Sequence, residues 1–213
     1  MWKNPKVGEC PCYPTQKLLE TLGKAIDEVI KLNVADWVLE LGLAPRDTFE
    51  SVDKIMESAG FKKLGSGLAR LAYEFKDDKG CDCVVKIAKS KDIEFREPNY
   101  REMEVMNELP DDIREFFLPL GAADEQSWWV TQPKAETPDD YELRYELSDE
   151  LESKLKDKGW RCLDLYADNV GLYAGKPVIL DYGRGLKCRR RKRTQSPHES
   201  VFNAIETPDI RRG

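Results

Sequence analysis

Trp160 to Gly185 constrains this chain more than any other stretch: W-R-C-L-D-L-Y-A-D-N-V-G-L-Y-A-G-K-P-V-I-L-D-Y-G-R-G. It begins as a polar loop carrying Asp164 and Asn169. Leu172-Tyr173 and Val178-Ile179-Leu180 then read as short strands joined by a turn at Ala174-Gly175-Lys176-Pro177, and Asp181 follows in an Asp-Tyr-Gly turn. A hairpin of that size returns the chain to its start, so Asp164, Asn169 and Asp181 converge. Oxygen-only ligands gathered at one spot suit Mg²⁺, which is held by one or two carboxylates together with phosphates. Such a loop needs a phosphate-holding partner elsewhere in the chain.

Residues 1–60 do not supply one. The first 14 are an irregular arm with prolines and cysteines. From Thr15, the residues Leu18, Leu22, Ala25, Ile26, Val29 and Ile30 recur at helical spacing, with Thr15 placed to cap the helix and Asn33 to end it. A shorter apolar run from Trp37 to Leu41 closes at Gly42. Asp47, Phe49, Val52, Ile55, Met56 and Gly60 outline another helix with start and stop signals. This segment reads as an N-terminal arm and helical appendage whose role is packing or partner docking.

At Phe61 the period changes. Phe61 to Phe75 reads as a strand, a Gly65-Ser66-Gly67 turn and a returning strand; Lys76 to Gly80 is a polar loop, and Cys83 to Ala88 a third strand. Glycines in such a turn let backbone N–H groups approach a phosphate without Cβ obstruction, although most glycine pairs between strands are simply hairpin turns. Lys86 lies among Val and Ile, where an ammonium needs a partner or a phosphate. Pro98-Asn99 is read as the start of a helix running from Tyr100 to Leu109. That puts Glu102 on the inward stripe with Val105, Met106 and Leu109, a candidate partner for Lys86. Ser127 to Pro133 is a buried-type strand closed by proline, and a helix through Leu147, Leu151 and Leu155 ends at Gly159.

The ordered series Gly65-x-Gly67, Lys86, Glu102, Asp164-x₄-Asn169 and Asp181-Tyr182-Gly183 resembles the protein-kinase-like superfamily, over about Phe61 to Lys187. The form L-G-S-G-x-x-R-x-x-Y is also similar to small kinase-like proteins carried by phages, and the series as a whole to small-molecule phosphotransferases of the aminoglycoside type. The resemblance implies an α+β, two-lobed protein-kinase-like fold with a truncated C-lobe and the N-terminal helical appendage. Residues 61–133 would form the N-lobe, and residues 134–213 a reduced C-lobe with catalytic loop, metal-binding turn and basic tail.

It further implies ATP and Mg²⁺ as cofactors. Gly65, Ser66 and Gly67 would cover the phosphates, and Lys86, oriented by Glu102, would grip them. Asp164 would accept or orient the hydroxyl proton of the acceptor, and Asn169 and Asp181 would hold Mg²⁺. Thr131 would sit at the back of the adenine pocket, with Gln132, Lys134 and Ala135 in the adenine-binding linker. The leading expectation is transfer of phosphate to a protein Ser or Thr hydroxyl or to the chain itself, at Thr194, Ser196 or Ser200. A nucleotide-binding pseudokinase acting through a partner and a small-molecule kinase are the alternatives.

The chain departs from the family pattern at defined points. Arg70 stands where the third loop glycine is expected, so either that part of the lid differs or Arg70 itself contacts phosphate. Cys162 and Leu163 replace the usual His-Arg before Asp164, and Tyr166 replaces a lysine. No Ala-Pro-Glu motif follows Gly185, and residues 186–213 are too few for the usual lower platform, which the N-terminal helices are expected to replace in part.

A net charge of -6 argues against an electrostatic nucleic-acid binder, and the basic block 189–193, read mainly as a solvated tail, is the one hint of such a partner. The pairs Cys10-x-Cys12 and Cys81-x-Cys83 are spaced too closely for common zinc sites, so reduced thiols without metal are expected. No apolar run reaches the length of a membrane span and the opening residues do not resemble a signal peptide. The expectation is therefore a cytoplasmic protein, in the host cytoplasm if viral, with no membrane partner.

Overall fold

The computed structural model describes residues 12–32, 48–183 and 186–188. The expectations at Cys10, Asn33, Trp37 to Gly42, Asp47 and the residues from 189 onward lie outside these. In chain order the elements are α1 (Gln16–Leu32), α2 (Glu50–Ser58), β1 (Lys62–Ser66), β2 (Arg70–Lys76), β3 (Asp82–Ala88), α3 (Ile93–Glu108), α4 (Asp111–Arg114), β4 (Trp129–Pro133), α5 (Tyr141–Asp157), β5 (Trp160–Cys162), a 3₁₀ turn (Ala167–Asn169), β6 (Val170–Tyr173), β7 (Lys176–Ile179) and β8 (Leu186–Cys188). The fold is α+β: an antiparallel sheet ordered β1-β2-β3-β4, and the two-stranded ribbons β5-β8 and β6-β7.

The sheet register decides what faces what. Ala72, Lys86 and Val130 are aligned across β2, β3 and β4, and beside them Tyr73, Val85 and Thr131. Because side chains alternate along a strand, Arg70, Ala72, Lys86 and Gln132 share one face, while Leu71, Tyr73, Phe75, Cys83, Val85, Ile87 and Thr131 share the other. The second face is buried with Leu18, Leu22, Ala25 and Val29 of α1 and Val52 and Met56 of α2 in one apolar cluster.

The N-terminal helices therefore form the back layer of the sheet. None of their described residues belongs to the second apolar cluster, so among the described residues they back the sheet rather than replacing a lower platform as expected. The physical reason is that a sheet face this apolar must be covered by another layer. Thr15 caps α1 as its position suggested, accepting from Leu18 N at 3.0 Å. Asp53 ties α2 to the sheet by accepting from Tyr73 and Lys63, each at 2.6 Å.

Cys12 and Cys83 form a disulfide, which corrects the expectation of reduced thiols at these two positions. Cys12 lies against β3, and both cysteines are fully buried. Closing a loop of 71 residues contributes about 4 kcal/mol in the chain-entropy picture. Cys162 is a free thiol, and no metal-binding cluster of His, Cys, Asp or Glu occurs among the described residues.

The second cluster gathers Met106 and Leu109 from α3, Leu147, Leu151 and Leu155 from α5, and Val170, Ile179 and Tyr182 from around the β6-β7 ribbon. Two clusters are compatible with two lobes. α3 begins at Ile93, earlier than the Pro98-Asn99 start read from sequence, and carries Pro98 inside it. Buried Phe95 anchors its first turn, and Asp92 N donates to Ser90 Oγ at the helix entry, so one backbone hydrogen bond lost at Pro98 does not end the helix. Asp140 caps α5, accepting from Glu142 N at 2.9 Å.

The β6-β7 turn is shorter than the sequence suggested. Ala174 (φ 51) and Gly175 (φ 75) form it alone, as a two-residue hairpin turn with both residues left-handed, and Lys176 and Pro177 belong to β7. Among the described residues no helix is long and apolar enough to cross a membrane.

Candidate functional site

The central charged group is Lys86, on the open face of β3. Its Nζ donates to Glu102 Oε1 at 3.0 Å and to the Leu180 carbonyl at 2.8 Å. Glu102 is fully buried on α3. Burial, aided by the charge of Arg70, lowers the Lys86 pKa despite the opposing pull of Glu102. The Glu102 carboxylate and the Leu180 carbonyl compensate part of the hydration this buried lysine has lost.

Arg70, from the start of β2, enters the same network. Its guanidinium lies 2.9 Å from Glu102 Oε1 and 2.5 Å from Asp181 Oδ2. It also donates to Asn99 Oδ1 at 3.1 Å. Burial alone would lower its pKa, but Glu102 and Asp181 outweigh it and hold the charge more firmly than in a free arginine. Asp181 shows the converse. Burial would raise its pKa, yet Arg70 and Lys86 hold the carboxyl well below the usual carboxylate range, so Asp181 is ionised. Glu102 Oε2 is buried with no hydrogen-bond partner.

The acidic loop closes beneath this network. Asn169 Nδ2 donates to the Asp164 carbonyl at 2.9 Å, and Leu180 N donates to the Asn169 carbonyl at 2.8 Å, so the loop is stitched to the segment that leads into Asp181. Tyr182 points the other way, fully buried, and donates to the Leu118 carbonyl at 2.8 Å. Gly183 packs so tightly that a Cβ there would lie 2.8 Å from Pro98 Cβ.

Lys86, Asp164 and Asp181 line one cavity of about 430 Å³, together with Gly67 and Arg70 above and Pro98 at the side. Gly67 sits in a tight turn, its N–H donating to the Arg70 carbonyl at 2.9 Å and its carbonyl accepting from Lys89 Nζ at 2.5 Å. Neither Gly65 nor Gly67 has a positive φ. A Cβ at Gly65 would meet nothing within 4 Å, and one at Gly67 only the Arg70 carbonyl at 3.9 Å. Neither backbone conformation nor packing requires glycine at these two positions.

The structure brings together Gly67, Lys86, Glu102, Asp164, Asn169 and Asp181, with Gly65 and Ser66 at the end of β1. Thr131 is not among them. It lies on the back face of the sheet, where its Oγ1 donates to the Cys12 carbonyl at 2.7 Å and accepts from Ala122 N, which corrects its expected place behind an adenine pocket. Gln132 is buried on the open face, its Nε2 3.5 Å from Tyr182 Oη. Lys134 reaches back to Glu74 at 2.9 Å, and Ala135 lies in the connector before the Glu136–Leu172 bridge.

Arg70 as a network member and Asn99 as its support are the residues that sequence reasoning missed. The signal was available: Arg70 has the same strand parity as Ala72, which pairs with Lys86, and Asn99 lies one turn before Glu102 on α3.

No protein-family model and no curated protein matches the sequence. Among solved structures the chain is similar to the crystal structure of Cex1p, at 13% identity and a TM-score of 0.44, over 60% of this chain. It spans 26% of the length of that protein.

Proposed function

We propose that this chain is an ATP-dependent phosphotransferase of the protein-kinase-like type, working with Mg²⁺. One observation carries the reading: Lys86, Asp164 and Asp181 line a single cavity under the Gly67 turn, with Lys86 oriented by a fully buried glutamate. The donor set fits the cofactor. Asp181 is ionised, Asn169 offers a side-chain oxygen, and the open space beside Gly65 suits close approach of phosphate. Bound Mg²⁺ would neutralise charge on the phosphates.

The chain's own residues supply the rest. Lys86 binds phosphate oxygens, and Glu102 keeps its ammonium in register. Asp164 orients the acceptor hydroxyl and takes its proton as the new P–O bond forms and the bond to the leaving ADP breaks. Within this reading residues 61–133 act as the upper lobe and 134–213 as the reduced lower one. The acceptor is a protein hydroxyl or the chain itself, and a small-molecule hydroxyl would use the same machinery. Incubation with labelled ATP, Mg²⁺ and a cell lysate should give transfer that an Asp164→Ala variant lacks; equal labelling by both proteins would end this reading.

A second reading is favoured by the ion pair between Arg70 and Asp181, which engages a carboxylate that transfer would need for the cation. In that case the chain binds Mg-ATP without turnover and acts through a partner. Saturable Mg-ATP binding with no transfer to any acceptor would support it, and a measured transfer rate would remove it.

A further inference from the structure

Arg70 is braced from behind. Asn99 is fully buried, and its Nδ2 donates to the carbonyls of Ser127 and Trp128 at 3.0 and 3.2 Å, which fixes its Oδ1 toward Arg70 Nη1. Of the two carboxylates on Arg70 Nη2, Glu102 is 0% exposed and Asp181 39%. Separating Arg70 from Glu102 would leave the buried Glu102 carboxylate with Lys86 alone as its cation. Asp181 is different, because it faces the cavity and can take another cation. Arg70 lines that same cavity.

We propose that Arg70 is a phosphate-binding residue whose place is kept by Asp181 while no nucleotide is bound. On loading, Asp181 turns from Arg70 to the cation, and a phosphate oxygen takes its position on the guanidinium. Arg70, Lys86, Glu102 and Asp181 carry two positive and two negative charges in the empty site. The exchange replaces one oxyanion on Nη2 by another, so no buried cation is left unpaired. A divalent cation arriving alone breaks the Arg70–Asp181 pair and gives Arg70 nothing in return, so it binds weakly. A cation arriving with a triphosphate satisfies both residues at once. The inference rests on the nucleotide-binding reading above and adds an order of entry to it.

The test uses Mn²⁺ as the probe, with free Mn²⁺ counted by electron paramagnetic resonance, in the full chain and in Arg70→Met, Arg70→Lys and the double variant Arg70→Met/Asp181→Asn. Without nucleotide, Arg70→Met should bind Mn²⁺ at least tenfold more tightly than wild type, and the double variant should lose that gain. With ATP present, Arg70→Met should bind the Mn-ATP complex at least tenfold more weakly. Arg70→Lys keeps the charge and should fall between on both measures. It carries the comparison if circular dichroism finds Arg70→Met unfolded.

Damage to the fold would weaken both measures, so only opposite changes support the proposal. Changes in the same direction, or both within twofold of wild type, overturn it while wild-type Mn-ATP binding leaves the nucleotide reading standing. Absence of Mn-ATP binding by wild type overturns both.

Discussion

The Asn169 side-chain amide donates to the Asp164 carbonyl at 2.9 Å, closing the loop 164–169 on itself, while the Asn169 carbonyl accepts from Leu180 N. One residue thus joins the loop that carries Asp164 to the segment that carries Asp181. Asn169→Ala should lower stability by about 1 kcal/mol in urea unfolding, the net worth of one such bond. It should also raise the Mg²⁺ concentration needed for half-maximal ATP binding. No change in either measurement would contradict both assigned roles.

Gly183 has no room to grow. A Cβ would lie 2.8 Å from Pro98 Cβ and 2.9 Å from its Cα, and neither proline atom can give way without moving α3. Gly183→Ala should cost about 1–3 kcal/mol, the range for overpacking. Because Asp181 lies two residues upstream, ATP binding should weaken as well. Chemical denaturation and an equilibrium binding assay on the same preparation check both.

Gly65→Ala should behave in the opposite way. Its Cβ meets no protein atom within 4 Å and the backbone is not left-handed, so stability should hold or rise slightly. In the proposed phosphotransferase reading ATP binding should still weaken, since the added methyl would stand where that reading puts phosphate. A melting temperature that falls by several degrees would show that the glycine serves the fold instead.

Lys89 gives the molecule an alkaline signature. Its Nζ donates to the Gly67 carbonyl and lies 5.2 Å from the centre of the Phe49 ring. Burial, reinforced by Lys63, pushes its pKa down to about 8. Between that value and the ordinary lysine value of about 10.4, the unfolded chain binds a proton that the folded chain has released. Stability should therefore rise with pH across that window, and Lys89→Met should remove this contribution. Urea midpoints at several pH values from 7.5 to about 10.5 would measure it.

Much of this arrangement is legible before folding, because it depends on local period. The apolar run from Cys83 to Ala88 marks a strand, the spacing from Met106 back to Glu102 marks one helix face, and Gly159 ends α5. Convergence of Asp164, Asn169 and Asp181 follows from hairpin length alone. What sequence conceals depends on which sheet face a residue takes and on what crosses it. Thr131 reads as cleft-facing until the β3-β4 register assigns it to the back. Cys12 reads as a reduced thiol until its place against Cys83 of β3 is seen. Arg70 reads as a substitution in a glycine turn, and only the approach of α3 and the Asp181 turn reveals it as the centre of an ion network.

The alternating register of β2, β3 and β4 makes the upper half of the molecule behave like a reading frame. Alternate residues face the side that carries Arg70 and Lys86, and the others face the helical layer, with Cys83 and Lys86 on opposite sides of the same strand. Inserting or deleting one residue within β3 would exchange the two sets beyond that point. Lys86 would be driven into the apolar layer, and valine or isoleucine into the charged network. Substitution is tolerable at many of these positions, whereas a change of length at any of them is a frameshift in three dimensions.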